Sequence, residues 1–316
     1  MKKVNALSRM VWIGLISMTL WSCGSSKYDL RFFAIGDMPY HVPEDYERFE
    51  RLIADLNKEK PDFTVHVGDI KGGSSPCSDS VFQLIYQYYQ QFEHPFILTP
   101  GDNDWTDCHR VKAGGYVPEE RLARLREVFY RDMRSMGNSQ LELLTQSSYS
   151  GYEKFVENAM WEMKGVTFAT IHVVGSNNNY YPNDASKNAE FMERDAANIF
   201  WLEEAFSRAK SQGSRGLVLF LHAAMNYSGS AESGFRHFTL QLREEVMSFG
   251  KPVLMIYGDH HSFLVSKPLR DDNGRVLTNF TALMVFGDHD MHAAEVRVNR
   301  KYESLFEIRQ HFVKGN

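Results

Sequence analysis

LRFFAIGDMPYHVPEDYERFERLIADLNKEKPDFTVHVGD (30–69) decides the fold. Its first part, LRFFAIG (30–36), is a β-branched and aromatic run that stops at Gly-Asp. VPEDYERFERLIADLNKEK (42–60) follows, with apolar residues at helical spacing and Pro and acids at its start, which predicts a helix. DFTVHVGD (62–69) is a second strand, again stopping at Gly-Asp. Downstream the pattern repeats: a helix over SVFQLIYQYYQQF (80–92), then a third strand, PFILTPGD (95–102). A βαβαβ beginning predicts a parallel sheet with right-handed crossovers. In such sheets ligands bind beyond the carboxyl ends of the strands, so Asp37, Asp69 and Asp102 are expected on one rim.

The rest of the chain extends the alternation. A charge-rich stretch at about 110–160, with a helix at 118–133, reads as an insertion or cap over the site. Strand VTFATIHVV (166–174) runs into GSNNN (175–179), which reads as a turn on the same rim. A long helix is expected at 186–210, then strand GLVLFLH (216–222) ending at His222. A helix at 236–248 and strand PVLMIYGD (252–259) follow. Four short strands finish the chain, and their polar turns predict antiparallel pairing. GDHDMH (287–292) lies between two of them and reads as a solvated turn rather than a second metal site.

In order, the polar strand ends are GD (36–37), GD (68–69), GDND (101–104), His222 and GDHH (258–261). Singly, each is an ordinary turn, helix cap or core histidine. As an ordered set over roughly 30–300, they resemble the calcineurin-like metallophosphoesterase superfamily. Its five motifs are D-x-H, G-D-x-x, G-N-H-[DE], a lone strand-end His and G-H-x-H. The resemblance implies an α/β fold of two packed mixed sheets flanked by helices. It also implies hydrolysis of a phosphomonoester or phosphodiester by attack of metal-bound hydroxide.

Carried over position by position, the resemblance implies one metal on Asp37, Asp69 and His261, and a second on Asp69, Asp102, His222 and Asp259, with Asp69 bridging. Three positions depart from the family. Pro39 stands where the first motif has His, leaving Tyr40, His41 or water to fill that place. Asn103 replaces the third motif's His, and Asp259 the fifth motif's first His. Asn103, Asp104, His109 and Arg110 are the expected substrate-contacting and catalytic residues, with His41 and His260 as further candidate proton donors. Four Asp ligands match the charge of two divalent ions, so Mn²⁺, Mg²⁺ or Ca²⁺ are expected over Zn²⁺ or Fe, with a single ion as the alternative.

The first 22 residues stand apart: Lys2, Lys3 and Arg9 precede the apolar run MVWIGLISMTLW (10–21). The run is too short to span a bilayer and suits a secretory signal. Leu20-Trp21-Ser22-Cys23 resembles a bacterial lipobox, so a lipid on Cys23, a linker over 23–29 and one domain over 30–316 are expected at the cell envelope. Loss of the signal moves the formal net charge from −5 to −8. An acidic chain without basic runs points away from nucleic acid and leaves a small phosphorylated substrate and the membrane as partners. Cys77 and Cys108 remain as a candidate disulfide, which export permits. The alternatives are a lipoprotein that binds metal or ligand on this scaffold without turnover, and a structural envelope protein whose Asp residues only cap helices.

Overall fold

The computed structural model describes residues 28–227, 229–299 and 305–316. The expected signal segment and Cys23 lie outside them. Three strands, β1 (Tyr28–Ile35), β2 (Phe63–His66) and β3 (Phe96–Leu98), run parallel, joined by helices Glu44–Glu59 and Asp79–Tyr89. A second sheet begins with β4 (Leu144–Thr145), β5 (Ala159–Met163) and β6 (Val166–Thr170), and continues with β7 (Leu217–Phe220) and β8 (Val253–Tyr257). Helices Ala189–Ser211 and Arg236–Phe249 make the crossovers on either side of β7. The last strands are β9 (Leu264–Ser266), β10 (Phe280–Met284), β11 (Ala293–Asn299) and β12 (Phe306–His311).

Two sheets result, ordered β12-β11-β1-β2-β3 and β4-β5-β6-β7-β8-β10-β9. Their facing sides form one apolar layer in which Phe32, Phe63 and Val65 meet Phe168, Phe220 and Ile256. Each outer face is covered by helices: Phe49, Leu52 and Phe82 pack on the first sheet, Trp201, Phe206 and Phe238 on the second. Strands buried on both faces are continuously apolar, which is why LVLF and VLMIY lack alternation. Among the described residues no helix is long and apolar enough to cross a membrane.

Two expectations need correction. The 110–160 stretch, expected as an insertion or cap, is built into the layers. Leu125, Val128 and Phe129 of the helix Pro118–Phe129 join the core over the first sheet, and β4–β5 extend the second. Glu119, Glu120 and Glu127 of that helix are exposed, while Arg121 is buried together with its apolar stripe. The final strands are also not all antiparallel. β10 pairs parallel with β8 and antiparallel with β9, because β9 lies outside β10 and leaves the place beside β8 free.

Candidate metal centre

β1, β2, β3, β7 and β8 each end two to four residues before a polar side chain, and these side chains converge between the two sheets. Asp37, Asp69, Asp102 and His222 are buried; Asp259 and His261 are half-buried. Ligand atoms of Asp37, Asp69 and His222 lie within 4.8 Å of one another, as do those of Asp102, His222 and Asp259. His222 Nε2 stands 2.9 Å from Asp102 Oδ1 and 3.4 Å from Asp69 Oδ1. Its Nδ1 donates to the Val67 carbonyl at 2.8 Å, which fixes the ring and leaves Nε2 facing the carboxylates. His261 Nε2 approaches Asp37 Oδ1 at 3.5 Å, placing it on the Asp37 side.

The local backbone explains the repeated Gly-Asp pairs. Asp37, Asp69 and Asp259 all adopt positive φ (56°, 58° and 77°), a region that Asp tolerates better than most residues. The preceding glycines make room. A Cβ on Gly68, at φ +92°, would fall 2.6 Å from the Gly101 nitrogen and 2.8 Å from His222 Nδ1. Gly175 is equally constrained, since a Cβ there would lie 2.5 Å from Asp102 Oδ1 and 2.9 Å from Asp259 Oδ1. Strained backbone of this kind concentrates at functional sites.

Asp104 is corrected from a substrate-contacting to a positioning role. Its fully buried carboxylate accepts from the backbone N–H groups of Asp69 (3.0 Å), Gly101 (2.7 Å) and Ile70 (2.8 Å), clasping the β2 and β3 loops together. The Cys77–Cys108 disulfide, 31 residues apart in sequence, ties the same two loops farther out. Trp105 anchors them from below: its indole N–H donates to His172 Nε2 at 3.0 Å, and His172 Nδ1 meets Glu157 at 2.7 Å. His109 is also corrected: it is exposed and its Nδ1 donates to the Thr106 carbonyl at 2.7 Å, outside the cluster. His260 is exposed as well. Asn103 and Arg110 do reach the mouth. A Cβ on Gly73 would meet Asn103 Oδ1 at 2.6 Å and Arg110 Nη1 at 2.9 Å, and Arg110 is paired with Asp107 at 2.6 Å.

One expected candidate takes the first motif's open place, and two further neighbours, Ser176 and Lys71, were not expected. Tyr40 occupies the space that Pro39 leaves: its hydroxyl donates to Asp69 Oδ2 at 2.7 Å and receives the Asn103 amide at 3.0 Å. Ser176 sits in a left-handed turn spanning 176–179 and donates to Asp102 Oδ2 at 2.7 Å. Asn177 and Asn178 are spent on the Glu232 and Gly234 backbone. Lys71 is buried close enough to Asp104 and Asp69 to feel their charge. A lysine two residues past Gly-Asp was the available sequence signal.

The electrostatics call for cations. Burial pushes the Asp37 carboxyl up to about 7 and the Asp69 carboxyl well above its usual range. For Asp102, burial is outweighed by the hydrogen bond and charge of His222, which hold it down to about 2. His222 is raised well above 6.5 because the carboxylates of Asp69, Asp102 and Asp37 override the cost of burying its charge. Burial lowers Lys71, against the pull of Asp104 and Asp69. Four converging Asp side chains with two imidazoles form a donor set that fits divalent metal ions, whose charge would offset the repulsion among the carboxylates.

A family model described as calcineurin-like phosphoesterase matches residues 30–263, the span that carries all six of these side chains. The chain belongs to the calcineurin-like phosphoesterase family. As a member it is a metal-dependent phosphoester hydrolase of a family that uses a dimetal centre, and its Asp/His clusters could bind metal ions. Its fold is shared with a dimetal phosphatase from Danio rerio, at 11% identity and TM-score 0.57, over 90% of this chain and 96% of that one. A purple acid phosphatase from yellow lupin (Lupinus luteus) gives 14% identity and TM-score 0.49, over 90% and 53%. A 5'-nucleotidase from Candida albicans gives 10% and 0.48, over 90% and 51%. No curated protein matches this phosphoesterase by sequence.

Proposed function

We propose that this phosphoesterase hydrolyses a small phosphomonoester or phosphodiester at the cell envelope, where a lipid on Cys23 holds it to the membrane. The observation that carries the hydrolytic reading is the pair of ligand clusters sharing His222, one with Asp37 and Asp69, the other with Asp102 and Asp259. Asp37, Asp69 and His261 would hold one ion; Asp69, Asp102, His222 and Asp259 would hold the other. Divalent ions there supply Lewis-acid polarisation of the phosphoryl oxygens and a nucleophile at neutral pH. The carboxylate-rich donors favour Mn²⁺, Mg²⁺ or Ca²⁺ over Zn²⁺ or Fe.

The chain's own residues do the rest. Tyr40 and Asn103 both donate to Asp69 Oδ2, through the hydroxyl and the amide. Asp104 holds the backbone that aims it. Arg110, half-exposed at the mouth and steadied by Asp107, is placed to take two phosphate oxygens through its guanidinium fork. Lys71 adds positive charge beneath. The apolar signal-like segment and the Cys77–Cys108 bridge, which suits an oxidising compartment, support the envelope location. The test is hydrolysis of p-nitrophenyl phosphate and bis(p-nitrophenyl) phosphate by purified protein reloaded with Mn²⁺, Mg²⁺, Ca²⁺ or Zn²⁺. The reading expects turnover with the harder ions; activity restored by Zn²⁺ alone contradicts the metal assignment, and none with any ion contradicts the reaction.

A further inference from the structure

Beside the metal centre, three ligating side chains from distant parts of the chain meet at the surface. His41 Nε2 lies 2.7 Å from Asp288 Oδ1, and His289 Nε2 lies 3.3 Å from Asp288 Oδ2. One ligand atom from each of the three residues lies within 4.8 Å of the other two. The two imidazoles lie nearly parallel, 4.9 Å apart at 13°. Asp288 Oδ1 is shielded from water and makes no hydrogen bond of proper geometry, despite the nearby His41 nitrogen.

The support is built rather than incidental. Asp45 Oδ2 accepts the backbone N–H groups of Tyr40 (3.0 Å) and His41 (2.7 Å). Arg48 bonds Asp45 Oδ1 at 2.9 Å and the His289 carbonyl at 2.5 Å, so one ion pair clamps both loops. The Asp288 N–H is fixed on the Asp37 carbonyl at 2.7 Å, and Asp288 itself holds φ +47°. Ligands of a four-coordinate ion at about 2.0–2.2 Å stand roughly 3.3–3.6 Å apart, so His41 Nε2 and Asp288 Oδ1, at 2.7 Å, separate to admit the ion.

We propose that His41, Asp288 and His289 form a third cation site, at the mouth of the metal centre, for a borderline divalent ion such as Zn²⁺. Two imidazoles and one carboxylate suit Zn²⁺, Cu²⁺ or Ni²⁺ better than the hard ions preferred inside. The side chains of His41 and His289 are 57% and 80% exposed, so the outer coordination positions open to solvent and the ion exchanges freely. The site does not rest on the paired centre being catalytic.

The test is Zn²⁺ equilibrium dialysis of the purified full chain after chelation, followed by copper titration read by electron paramagnetic resonance. Both histidines are exposed, so His41→Ala/His289→Ala leaves the core untouched. That variant is expected to bind one Zn²⁺ fewer than the parent. Asp69→Asn, which disables the inner pair, is expected to retain one Zn²⁺, and Cu²⁺ at that position to show two imidazole nitrogens. Equal Zn²⁺ stoichiometry in the parent and the double-histidine variant overturns the proposal, as does a retained Cu²⁺ signal without imidazole nitrogen. Neither result bears on the inner pair.

Discussion

The Nε2 of His222 stands 2.9 Å from Oδ1 of Asp102, across 120 residues of sequence and from one sheet to the other. With Nδ1 held by the Val67 carbonyl, the second nitrogen of His222 faces the carboxylates. His222→Asn is therefore expected to lose one metal ion per chain. It should lower kcat/KM at least roughly 10²-fold, since a catalytic ion contributes several kcal/mol and about 1.4 kcal/mol is tenfold. Metal analysis and steady-state kinetics on the same sample check this; full metal content in the variant contradicts it.

Asp104 acts through the backbone. In Asp104→Asn the three N–H groups of Asp69, Ile70 and Gly101 lose their charged acceptor. A loss of about 2–3 kcal/mol is expected, with metal affinity reduced roughly 10–100-fold. Denaturant titration reads the first and metal-buffered activity the second. Unchanged affinity in a destabilised protein would remove Asp104 from the site's support.

Chelation should destabilise more as pH rises. In the metal-free protein, Asp37 has a folded pKa of about 7, above its ordinary 3.8, and His222 is raised well above 6.5. Groups whose pKa is raised on folding bind more protons folded than unfolded, so they stabilise below the unfolded value and lose that contribution as pH rises. The difference in Tm between metal-loaded and chelated protein should widen from pH 6.5 to 8.5. A constant difference contradicts the charge argument.

His66 works in the opposite sense. It is fully buried, and burial lowers it from 6.5 to about 3. A His with a depressed pKa stabilises above 6.5 and costs stability as pH falls below that, by about 1.4 kcal/mol per unit until the folded value is reached. His66→Leu should flatten the fall in stability between pH 6.5 and 4.5. The same slope in the variant would assign acid sensitivity elsewhere.

The disulfide closes a 31-residue separation, for which loop-closure entropy gives about 3–4 kcal/mol. Cys77→Ala/Cys108→Ala should lose that stability and weaken metal binding, because the bridge joins the loops after β2 and β3. Loss of stability with unchanged metal affinity would make the bridge structural only.

How far the sequence alone reaches follows from where each signal lies. Gly-Asp after an apolar run is legible because two physical demands coincide: a carboxylate at a strand's carboxyl end, and backbone room for its positive φ. Gly68 and Gly101 show that room occupied by neighbouring loops. Tyr40 was only one of several ways to fill the place left by Pro39, and its contact with Asp69 depends on the loop path after β1. Lys71 and Ser176 reach the centre through burial and an unusual turn, neither of which has a periodicity. Asp104 kept the family's acidic position, but identity could not tell a carboxylate facing substrate from one facing three amides. The 110–160 stretch misled because its charged residues outnumber a narrow buried stripe. β10 misled because short strands with polar turns look alike in either direction. The signal segment and Cys23 fall outside the described residues.

The central claim is that the Asp69 carboxylate joins two divalent ions into one hydrolytic centre. The most direct measurement compares the parent protein with Asp69→Asn, each purified without chelator, for bound metal and for phosphoester hydrolysis with added Mn²⁺. Two ions per chain at the inner centre, apart from any Zn²⁺ on His41 and His289, with turnover in the parent, and both inner ions lost together in Asp69→Asn, are predicted. A parent protein that binds no metal under any condition, or an Asp69→Asn variant that keeps full metal and full activity, contradicts the account.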